Sequence, residues 1–204
     1  MSTIVILATS VIICGSNAQI PEEMRDRQGL ADMLLEYLAV RYPAAPYSED
    51  IIYISAQRQR LFLVHDGGLF ASYPISTASA GLGGMTDSFR TPTGMHRVAE
   101  KIGDGVPLGG VFRERYFTGQ VLKAPLSGND AITTRILWLE GLEPGVNQGG
   151  AVDSHSRAIY IHGTPEINSL GSPASQGCVR MRDADVMALF EVVPIGTLVV
   201  ILDN

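Results

Sequence analysis

Residues 51–77 read IIYISAQRQRLFLVHDGGLFASYPIST. Two runs rich in branched and aromatic residues flank a polar turn at 56–59, and a third follows Asp66-Gly67-Gly68. Short runs of this kind, bounded by turn residues, are strands, so three in succession predict a β-meander. The pattern continues downstream. Residues 90–98 (RTPTGMHRV) pass from a turn into a strand, further strands are expected at 132–139 and 158–162, and TLVVIL at 197–202 closes the chain as an apolar strand. The Gly-rich stretches 79–87, 103–110 and 145–150 read as loops. A helix is expected over 183–193, with Asp183 as N-cap and Pro194 and Gly196 ending it. Upstream, 29–41 (GLADMLLEYLAVR) places Leu30, Met33, Leu34, Tyr37 and Leu38 at helical spacing. Residues 42–50 hold two prolines and read as a linker. The expected class is mainly β with one or two helices.

The chain has 204 residues, enough for one domain with a short extra segment. Hydrophobic residues make up 46% and charged residues 18%, a globular balance that excludes disorder as the default. Fifteen Lys and Arg stand against 21 Asp and Glu, and Lys101 and Lys123 are the only lysines. That acidic balance excludes a general nucleic-acid binder, which needs clustered cations to neutralise phosphates. No stretch approaches the length of apolar residues that a transmembrane span needs.

Residues 4–13 form an apolar run of signal-peptide length, and Ser16 and Ala18 give a small-x-small cleavage pattern before Gln19. No Lys or Arg precedes Arg25, so the usual basic start is missing, and a buried N-terminal strand is the alternative. The expected organisation is a signal peptide at 1–18, a helical segment and linker at 19–50, and a single domain at 51–204. Removal of 1–18 would take Cys14 with it and leave Cys178 as the one cysteine. An unpaired cysteine in an exported protein is a reactive thiol, an intermolecular partner, or a small buried hydrophobe.

The local sequence bears on that choice. Tyr160-Ile161-His162-Gly163-Thr164 is followed by Ser175-Gln176-Gly177-Cys178-Val179-Arg180-Met181. His162 is expected to end a strand at the sheet edge, facing a cleft. Cys178 follows a glycine and is expected to precede a helix, where free N–H groups favour a thiolate and can hold an oxyanion. A Cys–His pair is the minimum for covalent acyl transfer, because His takes the thiol proton as sulfur attacks a carbonyl. His65, His96 and His155 are expected at the surface or strand edges, and none has a zinc-ligand spacing. Trp138 is expected in the core, and Tyr116 and Tyr160 either pack or line a cleft. No P-loop or dinucleotide fingerprint is present.

HGT…SxGCVRM closely resembles the signature of the L,D-transpeptidases, the YkuD-type domain. The resemblance extends to the opening strand pair IIYISAQRQRLFLV, to Ser76-Thr77-Ala78, to Arg90-Thr91-Pro92-Thr93-Gly94 and to the closing turn of Pro194, Gly196 and Thr197. It covers roughly 51–202 and implies a YkuD-like β-sandwich with one or two helices packed on it. It also implies an envelope enzyme of the periplasm that remodels peptidoglycan, without metal or cofactor. Cys178 would attack the bond between diaminopimelate and the terminal D-Ala of a tetrapeptide stem, releasing D-Ala and forming a thioester. His162 would serve as base and then acid, its ring oriented by the Gly163 carbonyl, and the N–H groups of Gly177 and Cys178 would form the oxyanion hole. Arg180 would bind a stem carboxylate, its alternative role being a structural ion pair; Ser175, Gln176 and Tyr160 would complete the substrate site.

One departure stands out: the family usually has His where this chain has Gln176, and glutamine carries no proton at neutral pH. The acceptor is open between a second stem, a lysine of an envelope protein, and water; the last would make the chain an L,D-carboxypeptidase or amidase. A wall-binding module disabled by Gln176 is a further alternative. A thiol redox protein is disfavoured because no CxxC exists. A monomer is expected.

Overall fold

The computed structural model describes residues 22–43, 49–128 and 130–204. The segment read as a signal peptide lies outside the described residues, as does most of the linker. The meander is present as β1 (Asp50–Ser55), β2 (Arg60–His65) and β3 (Gly68–Pro74). It is followed by β4 (Gly94–Ile102), a hairpin of β5 (Gly110–Arg113) and β6 (Tyr116–Val121), and the long β7 (Ile132–Gly141). Then come β8 (Tyr160–Thr164), β9 (Val179–Arg182), helix α2 (Asp183–Val192) and β10 (Leu198–Leu202). The fold is mainly β with two helices, α2 and the N-terminal α1 (Glu22–Arg41).

All the strands belong to one sheet ordered β3-β2-β1-β10-β4-β7-β5-β6, with β8 and β9 branching from β7. The sheet curls until the chain just past β3 meets β9. There the Ser76 N–H donates to the Arg180 carbonyl at 3.0 Å, and the Arg180 N–H donates back at 2.9 Å. Period-two alternation gives the curled sheet an inner and an outer apolar face. Ile52, Ile54, Leu61, Leu63, Leu137, Ile161, Val199 and Ile201 point inward, where Val186, Leu189 and Phe190 of α2 cap them. Ile51, Tyr53, Phe62, Val64 and Val200 point outward and are covered by Ala31, Leu34 and Leu38 of α1. Strand β1 is therefore buried on both faces.

Several local expectations are corrected. Helix α1 starts at Glu22, a full two turns before 29, because the polar 22–28 stretch contains no helix breaker. The N-cap of α2 is Arg182, with Asp183 already helical. The β5–β6 hairpin had no sequence signal: its turn residues Glu114 and Arg115 have φ of 49° and 72°, a conformation usually taken by Asn-Gly. Arg115 is held there by stacking 4.4 Å over the Trp138 ring and donating to the Tyr160 hydroxyl at 3.2 Å. His96 is not at the surface. It sits on β4 between β10 and β7, fully buried, with Nδ1 3.1 Å from the Gly94 carbonyl and Nε2 3.0 Å from Ser154 Oγ. Burial pushes its pKa down to about 4.

Leu34 is 2% exposed where α1 meets the sheet. Leu34→Ala is expected to cost about 3 kcal/mol of stability, read from the midpoint of urea unfolding. An unchanged midpoint would show that α1 contributes nothing to the fold.

Candidate active site

β8 and β9 lie side by side and parallel, with His162 opposite Arg180. Alternate residues share a face, so Tyr160, His162, Cys178 and Arg180 point the same way, and His162 is the diagonal neighbour of Cys178. His162 is not at the sheet edge. It lies mid-strand between β7 and β9 and is 2% exposed. Its Nδ1 is 2.8 Å from the Gly163 carbonyl oxygen, which makes Nδ1–H the donor and leaves Nε2 as the lone-pair nitrogen. Gly163 is a glycine for want of room: a Cβ would meet the Thr133 carbonyl at 2.6 Å and the Asp183 carboxylate closer still. Thr133 donates its hydroxyl to that carboxylate, which clamps the floor beneath the strand.

Cys178 does not precede a helix. It enters β9, and α2 begins only at Asp183. The helix dipole is therefore not what conditions the thiol. Its Sγ lies 3.4 Å from the Ala158 carbonyl, to which it donates, and accepts from the Tyr160 N–H at 3.4 Å. Burial pushes the thiol up to about 11 against the pull of that N–H, while Asp130 pushes it up further and Arg180 and Arg157 draw it down. Burial likewise lowers His162 to about 4, with Arg180 adding to the effect. The resting pair at neutral pH is a thiol beside a neutral imidazole.

The loop that presents Cys178 is tied at every residue. Ser175 is 1% exposed; its N–H donates to the Thr77 carbonyl at 2.9 Å and its hydroxyl to the Cys178 carbonyl at 2.6 Å. Ser175 thus shapes the turn. Gly177 has φ 128°, a region that favours glycine, and its carbonyl accepts from Thr91 Oγ1 at 2.9 Å. The Gly177 N–H is not free for an oxyanion, because it donates to Ser175 Oγ at 3.2 Å.

Other expected site residues are also placed differently. Arg180 is 3% exposed and committed to two carboxylates: Nη1 donates to Glu166 at 2.9 Å and Nη2 to Asp130. It is a buried ion pair instead of an open carboxylate receptor, because β9 lies inside the curled sheet and the loop before β7 covers its side chain. Gln176 is exposed and donates to the other Asp130 oxygen at 3.1 Å. Tyr160 is 5% exposed and touches the thiol through its backbone, while its ring packs edge-on to Trp138 at 5.6 Å. Trp138 is half-buried and stacks on His155 at 3.9 Å; Tyr116 is 78% exposed. Sequence reasoning passed over Asp130, Glu166 and Arg157. Nothing in the local sequence marks the two acids. Arg157 stands one residue before Ala158, whose carbonyl meets the thiol, but that contact joins residues twenty apart; the only sequence hint was a cation five residues before His162.

The model of the family described as the L,D-transpeptidase catalytic domain, YkuD, matches residues 49–201. The chain belongs to that family. The Bacillus subtilis (strain 168) protein named L,D-transpeptidase YqjB is 41% identical over 54 residues, which are 26% of this chain and 31% of that one. The Escherichia coli (strain K12) L,D-transpeptidase ErfK/SrfK is 47% identical over 48 residues, 24% of this chain and 16% of that one. These matches span less than a third of each relative's length. Among solved structures, an L,D-transpeptidase from Mycobacterium smegmatis gives 18% identity and a TM-score of 0.46, covering 76% of this chain and 58% of that one. One from Xylanimonas cellulosilytica (residues 123–326) gives 20% and 0.44, covering 83% and 69%. Helix α1 lies outside the matched L,D-transpeptidase domain.

The two pKa shifts set a pH profile for thiol acylation. His162, held down to about 4, stays an available base from pH 5 upward, and Cys178, held up to about 11, stays a thiol through pH 9. The acylation rate is therefore expected to be flat from pH 5 to 9 and to fall near pH 4 as Nε2 protonates. A rate rising tenfold per pH unit towards 9 would show attack by free thiolate without His162 as base.

Proposed function

We propose that this L,D-transpeptidase-family chain acts on peptidoglycan stem peptides in the periplasm, through a thioester on Cys178. The observation that carries this reading is the register of β8 and β9, which makes His162, with Nε2 unprotonated, the diagonal neighbour of the half-buried Cys178. In the first half-reaction Sγ attacks the carbonyl carbon of the bond between the third residue of the stem and its terminal D-Ala. Nε2 takes the thiol proton, the carbonyl oxygen becomes an oxyanion, and collapse expels the D-Ala amine with that proton. In the second, an acceptor amine attacks the thioester, gives its proton to Nε2, and Cys178 leaves as a thiol. The Cys178 N–H stabilises both oxyanions.

Gln176 does not interrupt this proton path. Its amide is occupied by Asp130, so it acts on loop order, and the proton shuttle needs only His162. The signal-peptide pattern at 1–18 supports export, and the same thioester serves a second stem or a protein lysine as acceptor.

The test is intact-protein mass after incubation with a carbapenem, which acylates thiols of this family. A single adduct is expected on the wild type, none on Cys178→Ala, and a rate lower by at least about a hundredfold on His162→Ala. An adduct that persists in Cys178→Ala removes Cys178 as nucleophile. With a disaccharide-tetrapeptide, dimers are the expected product; tripeptide and free D-Ala alone would make the enzyme an L,D-carboxypeptidase.

A further inference from the structure

A cavity of about 260 Å³ opens beside the loop that carries Cys178, lined by Asp87, Phe89, Arg157, Ile159 and Gln176 among others. It adjoins Cys178 in two ways. Ile159 and Arg157 flank Ala158, whose carbonyl is 3.4 Å from Sγ. Gln176 precedes Gly177, where a Cβ would lie 3.5 Å from both Ile159 and the Arg90 carbonyl. The guanidinium of Arg157 is fixed at that junction: Nη2 donates to the Arg90 carbonyl at 2.7 Å and Nη1 to that of Gly83 at 3.4 Å. These bonds orient the charge without neutralising it. Among the described residues no carboxylate pairs with Arg157, although it is half-buried.

Across the same cavity, the exposed Asp87 side chain has no hydrogen bond or ion pair among the described residues. Asp87 sits in a turn at φ 59°, and its loop is anchored by Thr86, whose N–H and hydroxyl both donate to the Ala151 carbonyl at 2.7 and 2.8 Å. A cation and an anion thus line one small chamber, and neither is spent on the other. Between them Phe89, 57% exposed, and the buried Ile159 supply an apolar wall.

We infer that this cavity is a subsite for a zwitterionic α-amino-acid head, with Arg157 taking the carboxylate and Asp87 the ammonium carried on the same carbon. A guanidinium binds a carboxylate through two parallel N–H bonds and retains donors for the task while holding Arg90 and Gly83. The apolar wall receives the carbon chain that leads from that head toward the thiol. The assignment rests on the peptidyl-transfer reading for its place in the reaction, and it names which chemistry the enzyme selects. Two sources present such a head: the distal end of a diamino diacid within a stem, and a free amino acid.

The test is ligand-detected NMR with the Cys178→Ala protein, which cannot turn over. The probes are D-alanine and a tetrapeptide with a diamino diacid at position three, each beside forms whose head is N-acetylated or amidated. The unblocked head is expected to bind at least about tenfold more tightly than either blocked form. Arg157→Gln should erase the preference over the amide alone, and Asp87→Asn the preference over the acetylated form alone. Preference for the tetrapeptide with none for D-alanine assigns the cavity to the stem; preference for both assigns it to free amino acids as well. Asp87 is exposed, so its variant reports even where Arg157→Gln fails to fold. Equal binding of blocked and unblocked heads, or no binding, overturns the inference. Failure of the thioester reading looks different: the head preference persists while the wild type forms no adduct.

Discussion

Two reciprocal hydrogen bonds between the backbones of Ser76 and Arg180 are what the rest of the molecule depends on. They join the chain leaving the meander to β9 and so turn an open sheet into a closed one. Closure gives the inner face a single apolar interior and gives α2 something to cap. It also fixes the cysteine loop, because Thr77 and Ala78 follow Ser76 and pair with Ser175 and Thr91. The buried Gln59 holds Thr77 from behind through bonds of 2.7 and 2.8 Å. A polar side chain in the meander turn thereby reaches the active loop by way of three hydrogen bonds.

Much of this was legible in the sequence. The strands of the meander, β7 and β10 are short, branched and bounded by turn residues, so period and punctuation suffice. The His162 and Cys178 segments were visible as motifs. Their setting was not, because whether a strand lies at an edge or inside depends on pairing between residues far apart. β8 acquires a neighbour on each side only when β9 returns to it, and that return is not written near His162. The same blindness placed His96 at the surface, since nothing around it announces Ser154 as its partner. It placed Arg180 in the substrate site, since its carboxylates come from Asp130 and Glu166 on other segments. The Glu114-Arg115 turn had no signal because its geometry is held by Trp138 and Tyr160, not by its own residues.

The electrostatics of the site follow from this enclosure. His162 on the inner strand β8 and Cys178 just ahead of β9 sit where charge is costly, and both are driven to their neutral forms. A neutral thiol is a poor target for oxidants and metals, which react with thiolate. The cations around it are apportioned: Arg180 is balanced by two acids, whereas Arg157 faces the cavity uncompensated.

Parallel strands cannot be joined by a tight turn, and β8 and β9 are linked by a crossover through the 3-10 turn Ile167–Ser169 and Ser175. Its two ends are pinned independently, by β7 on one side and by the Ser76 staple on the other. The spacing between Cys178 and His162 is therefore set at those pins more than by the length of chain that connects them. Residues 167–170 lie half-buried or exposed between the pins, whereas Glu166, bonded to Arg180, and Ser175, bonded to Cys178, are tied to the site. For redesign, that short stretch is where the outline of the chain can be recut with least effect on the placement of Cys178 and His162.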